Sequence, residues 1–273
     1  MRQFIKQLDY NIKSKEISKF GIEIPSRYWS NFVRVSGAAE HFYIIKQFLK
    51  TLPNKKEKLD CLIVGVAGGR DYWGLKSLGH NVQGFDLGEI PECPNIKFGN
   101  AEEQWPFESQ SLDVVILGEI LEHLNGDECA LKEARRVLRP EGVLIVTVPF
   151  LASKPEYHLR IHDPRSIQKL LQANGFVIQD YLERPGFCLN FRFCNYLNFV
   201  IAACWYLLTK KSAYGTLMKG YGKLEWILGH KRYYPRLLLK HLSVINWGAT
   251  VLCRPGEQGF DYTTINKTEF TGK

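Results

Sequence analysis

"CLIVGVAGGRDYWGLKSLGHNVQGFDLGE", residues 61–89, sets two short apolar runs around a glycine-rich turn and ends in acidic residues. Seven glycines fall in this stretch, and those at 65, 68 and 69 sit where a strand would enter a helix. Glycine there leaves backbone room for a ligand, and the helix N-terminus points at it. Asp86 closes the next apolar run, 21 residues after Gly65, where a carboxylate can accept both hydroxyls of a ribose. Turn and acid together describe an adenosine site at the carboxyl edge of a parallel sheet.

Working outward, short apolar runs alternate with helical patterns, the signature of a parallel sheet wrapped by helices. The runs are "CLIVGV" (61–66), "NVQGFDL" (81–87), "NIKFG" (95–99), "LDVVILG" (112–118), "GVLIVTVPF" (142–150), "VIQDYLE" (177–183) and "WGATVLCRP" (247–255). Several are apolar on both alternating faces, which predicts helices on both sides of the sheet. Between them, "DYWGLKSLG" ends on a helix-stopping glycine, and "NGDECALKEARRVLRPEG" predicts a helix that stops at Pro140 and Gly142. "DPRSIQKLLQANGF" predicts another, with Asp163 as N-cap, Pro164 at its first position and Gly175 after its end. The fold class is therefore α/β: a Rossmann-like, doubly wound, seven-stranded, mostly parallel sheet. It comprises residues 58–184 with 247–256, preceded by N-terminal helices over 1–57. A helical insertion, 185–246, precedes the last strand, and a tail covers 257–273.

Charge is distributed unevenly along the 273 residues. Residues 1–58 hold 12 Lys/Arg against 5 Asp/Glu, 59–184 hold 12 against 19, and 185–246 hold 9 against 1. An acidic core flanked by basic segments suits an anionic partner: a membrane surface, a phosphorylated or nucleotide-linked substrate, or nucleic acid. Hydrophobic content of 45% excludes a disordered chain. The seven cysteines form no C-x-x-C pair and read as reduced thiols of a cytoplasmic protein, and the opening residues lack the apolar core of a signal peptide.

The glycine turn does not match G-x-G-x-x-G, since Ala67 stands at the third position and Arg70 follows Gly69. Taken with "VQGFDL", "FGNAEEQWPFESQSLDVVILGEILEHL" and "ALKEARRVLRPEGVLIVTVPF", however, it resembles the class I S-adenosylmethionine-dependent methyltransferases, over about residues 58–183. The resemblance implies S-adenosyl-L-methionine as cofactor. Gly65, Ala67, Gly68 and Gly69 would lie under its methionine and ribose, Asp86 would take the ribose hydroxyls, and Leu87 would pack on adenine. Asn100 and Ala101 match the segment that reads the adenine edge, and Gly118 and Glu119 the segment facing the methionine amino group and methyl. The chain departs from the family at Ile63 and Asn100, where acidic residues are usual, and at Ala67, usually glycine.

Methyl transfer needs alignment of acceptor, methyl and sulfur, and removal of a proton when the acceptor is a hydroxyl. "GEILEHL" sets Glu119, Glu122 and His123 at i, i+3 and i+4, one face if the segment is helical. "KPEYHLRIHDP" adds Tyr157, His158, Arg160 and His162 after the fifth strand; two histidines and an arginine there suit a hydroxyl acceptor beside an anionic group. His123, Glu122 and His158 are the candidate catalytic residues, as base or acceptor contacts. The E-x-x-E-H string also resembles that of quinone-pathway O-methyltransferases, where it can hold a divalent metal, but no metal is assigned here.

The insertion carries "FCNYLNFVIAACWYLL" (193–208), too short and too interrupted by asparagine to span a bilayer, followed by lysines and arginines interleaved with aromatics. That mix suits a helical lid resting on an anionic membrane surface, or a cap on the sheet. A nucleic-acid acceptor is disfavoured, because the N/D-P-P-Y/F signature of base-amino methylation is missing after the fourth strand. The expectation is O-methylation of a small or lipid-linked acceptor, of the glycan-sugar or isoprenoid-quinone type, in the cytoplasm or at the inner face of the membrane. The other reading is a non-catalytic adenosine-binding scaffold that docks through its basic insertion.

Overall fold

A computed structural model describes residues 45–52, 56–67, 69–88, 95–150, 158–185, 192–209 and 246–256, with Cys93, Lys223, Trp226 and Ile227. Most of the expected N-terminal helices, Gly68, Tyr157 and the tail lie outside these residues; 45–50 are helical. Seven strands form one sheet: β1 (Asp60–Val64), β2 (Asn81–Asp86), β3 (Ile96–Phe98), β4 (Leu112–Gly118), β5 (Leu138–Pro149), β6 (Phe176–Pro185) and β7 (Asn246–Pro255), in spatial order β3-β2-β1-β4-β5-β7-β6. Pairing is parallel from β3 through β5, while β7 runs antiparallel between β5 and β6. The expected mostly parallel, doubly wound architecture is present.

Alternate residues of the central strands feed two separate cores, as runs apolar on both faces require. Cys61, Ile63, Val114, Ile116, Val143 and Ile145 pack with Phe48, Tyr72, Trp73 and Leu75 on one face. Leu62, Val64, Val115, Leu117, Leu144 and Val146 pack on the other with α2 (Asp127–Val137) and α3 (Pro164–Ala173). The first face is covered by α1 (Arg70–Ser77), by residues 45–50 and by α4 (Arg192–Thr209), which sends Ala203 and Tyr206 into that core. Helix α3 carries the expected cap: Asp163 accepts from the N–H groups of Arg165 and Ser166, the Ser166 side chain completes a capping box, and Gly175 follows at φ 76. Cys61 and Cys253 are buried strand thiols whose pKa values burial pushes up, so both are chemically quiet.

The helix expected to stop at Pro140 and Gly142 ends instead at Val137, and β5 starts at Leu138. Two interactions draw the chain into the sheet early. Arg139 reaches Asp60 and Asp113 at 3.1 and 2.8 Å, bridging three strands at their N-terminal edge. At Gly142 a Cβ would lie 2.9 Å from the Arg139 carbonyl and 3.1 Å from that of Leu112, so only glycine lets β5 settle against β4 across the register shift between Leu112 and Val114. Burial alone would raise the Asp113 pKa. Bonds from the Asp60 N–H, Lys56 and Arg139 outweigh it and hold the carboxyl below its usual range.

Candidate active site

The parallel register places the expected cofactor residues on one edge. Val64 pairs with Phe85 and with Leu117, and Asp86 with Phe98, so Gly65, Asp86, Gly118 and the residues after β3 all emerge at the C-terminal ends of adjacent strands. A crevice at that edge is where open α/β sheets bind ligands.

Gly65, Ala67 and Gly69 take positive φ of 73°, 40° and 70°, a tight turn before α1. Ala67 pays a small strain for this conformation, since its Cβ is disfavoured there. Its backbone N–H donates to the Asp86 carboxylate at 3.0 Å, which ties the turn to the end of β2. A Cβ on Gly65 would sit 2.7 Å from Ile120 Cδ1, so the turn is also packed against the chain leaving β4. Beside Asp86, Leu87 is 77% and Phe98 54% exposed. Two exposed apolar side chains flanking a carboxylate fit the base and ribose of a nucleoside. On that chemistry the site suits S-adenosylmethionine. Phe98 and Ile120 did not figure in the sequence reading, because strand pairing and a loop contact bring them in.

Asn100 begins the turn after β3, where its side-chain oxygen accepts from the Glu102 N–H at 3.0 Å. Ala101 is buried, and its carbonyl accepts from the Trp105 indole at 3.0 Å. The Glu102 carboxylate accepts from the N–H groups of Asn125 and Gly126, both at 3.0 Å. These bonds fix the turn after β3 to the segment after β4.

Glu119, Glu122 and His123 are not on one helical face. Glu119 follows Gly118 at φ 56° with its N–H on the Thr147 carbonyl, and the helix is a single 3-10 turn, Leu121–His123. The left-handed residue interrupts any helix before that turn begins, so Glu119 lies outside it. Glu122 and His123 gain a different neighbour: the three ligand atoms of Glu122, His123 and His158 lie within 4.8 Å of one another. Glu122 is 2% exposed, its carboxylate is 3.8 Å from His123 Nε2, and the two imidazoles meet edge to face at 4.9 Å between centroids. That spacing would also admit one divalent ion. The three residues read from sequence as catalytic are therefore brought together.

The segment carrying His158 is pinned to the turn by backbone bonds: the N–H groups of Leu159 and Arg160 both donate to the Glu122 carbonyl, at 2.8 and 3.2 Å. Arg160 pairs with buried Asp127 at 3.1 Å and donates to the carbonyls of Leu124 and Asn125. The guanidinium thus ties the loop to α2. His162, buried behind it, is held neutral-favouring by burial, with Asp127 pulling the other way. A recess of about 300 Å³ lined by Leu52, Leu59, Asp113, Arg139 and Pro140 lies at the opposite edge, and its Asp113 and Arg139 are paired with each other. The chemistry faces the other way.

Comparison with known proteins agrees with this fold. Residues 62–146 match the family model described as a methyltransferase domain. A probable S-adenosylmethionine-dependent methyltransferase of Mycolicibacterium smegmatis is 32% identical over 96 residues, which cover 32% of this chain and 37% of that protein. The chain thus spans little more than a third of that relative's length. Among solved structures, an S-adenosylmethionine-dependent methyltransferase from Archaeoglobus fulgidus superposes with a TM-score of 0.53 at 13% identity, covering 80% of this chain and 94% of that one. The 4+2 cyclase SpnF superposes with a TM-score of 0.52 at 16% identity, covering 90% and 93%. At these identities the superpositions speak for the fold. Residues 62–146 thus match a methyltransferase domain, and the sheet around them has the fold of those solved structures.

Proposed function

We propose that the chain transfers the methyl group of S-adenosylmethionine to an oxygen nucleophile of a small or lipid-linked acceptor, of the glycan-sugar or isoprenoid-quinone type. The observation that supports oxygen as the nucleophile is the Glu122–His123–His158 cluster, two of whose members lie in the 3-10 turn that follows β4. The cofactor supplies a methyl carbon already activated by its sulfonium. The chain positions the acceptor and takes its proton. As the C–S bond breaks and the C–O bond forms, an imidazole of the pair receives the hydroxyl proton, and the buried carboxylate of Glu122 stabilises the imidazolium that results. Cofactor residues would be Gly65, Ala67, Gly69, Asp86, Leu87, Asn100, Ala101, Gly118 and Glu119, each at the strand edge described above.

The test is transfer of label from methyl-labelled S-adenosylmethionine into cell-extract fractions by the purified chain. Labelled product whose methyl is identified as a methoxyl group by nuclear magnetic resonance, lost on His123→Ala with His158→Ala, supports an ether. Label on nitrogen or carbon instead refutes the oxygen assignment. A second reading keeps the adenosine site without methyl transfer, and is favoured by the same fold serving SpnF, which is named as a cyclase. Calorimetric binding of the cofactor with no transferred label would establish it.

A further inference from the structure

Helix α4 has no charged residue from Phe193 to Thr209. A surface helix of this length normally turns polar and charged side chains outward. Here Ala203 is buried and Tyr206 packs on the core, yet Ile201, Trp205 and Leu208, spaced i, i+4 and i+7, are 45%, 49% and 84% exposed. Val200 and Leu207 widen the same exposed strip. One side of the helix is anchored to the sheet, and the other presents an aliphatic stripe with a tryptophan in it.

We infer that this face of α4 docks on an anionic lipid bilayer, lying in the interface with Ile201, Trp205 and Leu208 below the headgroups. Charge decides among possible occupants. The insertion that contains α4, residues 185–246, carries 9 Lys/Arg and 1 Asp/Glu, with Lys210 and Lys211 immediately after the helix. A segment of that net charge is a poor electrostatic match for a second copy of itself. An anionic lipid surface complements that charge while its acyl chains receive the stripe, the division of labour of an interfacial helix. No helix among the described residues is long and apolar enough to cross a membrane, so α4 lies on the surface. The inference rests on the lipid-linked part of the acceptor reading above and gives it a location: a face that brings the domain to its acceptor's own membrane.

The experiment is flotation of the full chain with vesicles of phosphatidylglycerol mixed with phosphatidylcholine, and with phosphatidylcholine alone. Expected is recovery with the anionic vesicles, reduced by salt near ~0.5 M, where charges are screened beyond a few ångströms. Leu208→Glu and Ile201→Glu, each at an exposed position, should lower binding about 10-fold or more, since each places a carboxylate where an apolar side chain was to be buried. Unchanged thermal midpoints and calorimetric S-adenosylmethionine affinity certify that the variants are folded. Absence of vesicle binding overturns the docking, as does equal binding by the variants. Concentration-dependent dimers that Leu208→Glu dissolves would assign the face to self-association instead. Flotation needs neither cofactor nor acceptor, so label transfer to a soluble acceptor without vesicle binding would sink the docking and leave the methyl transfer standing.

Discussion

The Asp86 carboxylate accepts the backbone N–H of Ala67 at 3.0 Å, so the end of β2 holds the glycine turn as well as facing the crevice. One side chain shapes the turn and, in the proposed function, would also accept the ribose hydroxyls. Asp86→Ala should therefore weaken S-adenosylmethionine binding by about 1–3 kcal/mol, the scale for losing charge-assisted bonds, or roughly 5- to 150-fold in Kd. Calorimetry reads this, and an unchanged Kd would remove Asp86 from the site.

Gly65 makes a sharper test of how the crevice is assembled. Substitution by alanine faces two costs: φ of 73°, and a Cβ 2.7 Å from Ile120 Cδ1. The second cost is removable. Ile120→Ala should restore the part due to overlap and leave about 1–2 kcal/mol from the left-handed backbone. Chemical denaturation of the two single variants and the double variant separates the terms. Additive losses would mean that Ile120 does not limit the turn.

How much of this was legible in sequence depends on the range of the forces involved. Strands apolar on both faces, the Asp163 cap and the acid ending β2 are local signals, and each stands where the pattern put it. The early start of β5 was not legible, because Pro140 and Gly142 read as a helix stop and only the approach of the Leu112 carbonyl shows otherwise. The position of β7 between β5 and β6 was equally hidden: an alternating apolar run fits either side of its neighbours. In the site, His158 was visible as a histidine in a loop, but its meeting with Glu122 and His123 depends on two N–H groups reaching the Glu122 carbonyl. Helical spacing suggested Glu119 as their companion, and a single left-handed residue undid it.

If Glu122, His123 and His158 act as a base cluster, their losses should not add. His123→Ala and His158→Ala are each expected to slow label transfer by about 10²–10⁴-fold, with the double variant little worse than the more damaged single one. Cofactor Kd should stay within about twofold, because neither imidazole is among the residues proposed to hold the cofactor. Treatment with EDTA should leave turnover unchanged. Activity lost to EDTA and restored by a divalent ion would make the cluster a metal site and end its role as base.

Arg160 and Asp127 link the loop bearing His158 to α2, and with His162 beside them their electrostatics give a pH signature. His162 is buried, and burial lowers its pKa below the usual value, with Asp127 opposing, Arg160 reinforcing and Asp163 opposing. The unfolded chain then binds more protons than the folded one once pH drops below about 6.5, so this group's contribution to stability is complete above that pH and falls away as pH decreases. The thermal midpoint should decline across that window. His162→Phe should flatten this decline, since it removes the group that must be charged on unfolding. Arg160→Met should lower the midpoint at every pH by stranding the Asp127 carboxylate, a loss of about 1–3 kcal/mol after allowing for the half-exposed guanidinium. Because Arg160 also holds the loop, that variant should slow label transfer while sparing cofactor affinity. Full turnover in a destabilised Arg160→Met protein would show that the His158 loop keeps its place through the two backbone bonds to Glu122 alone.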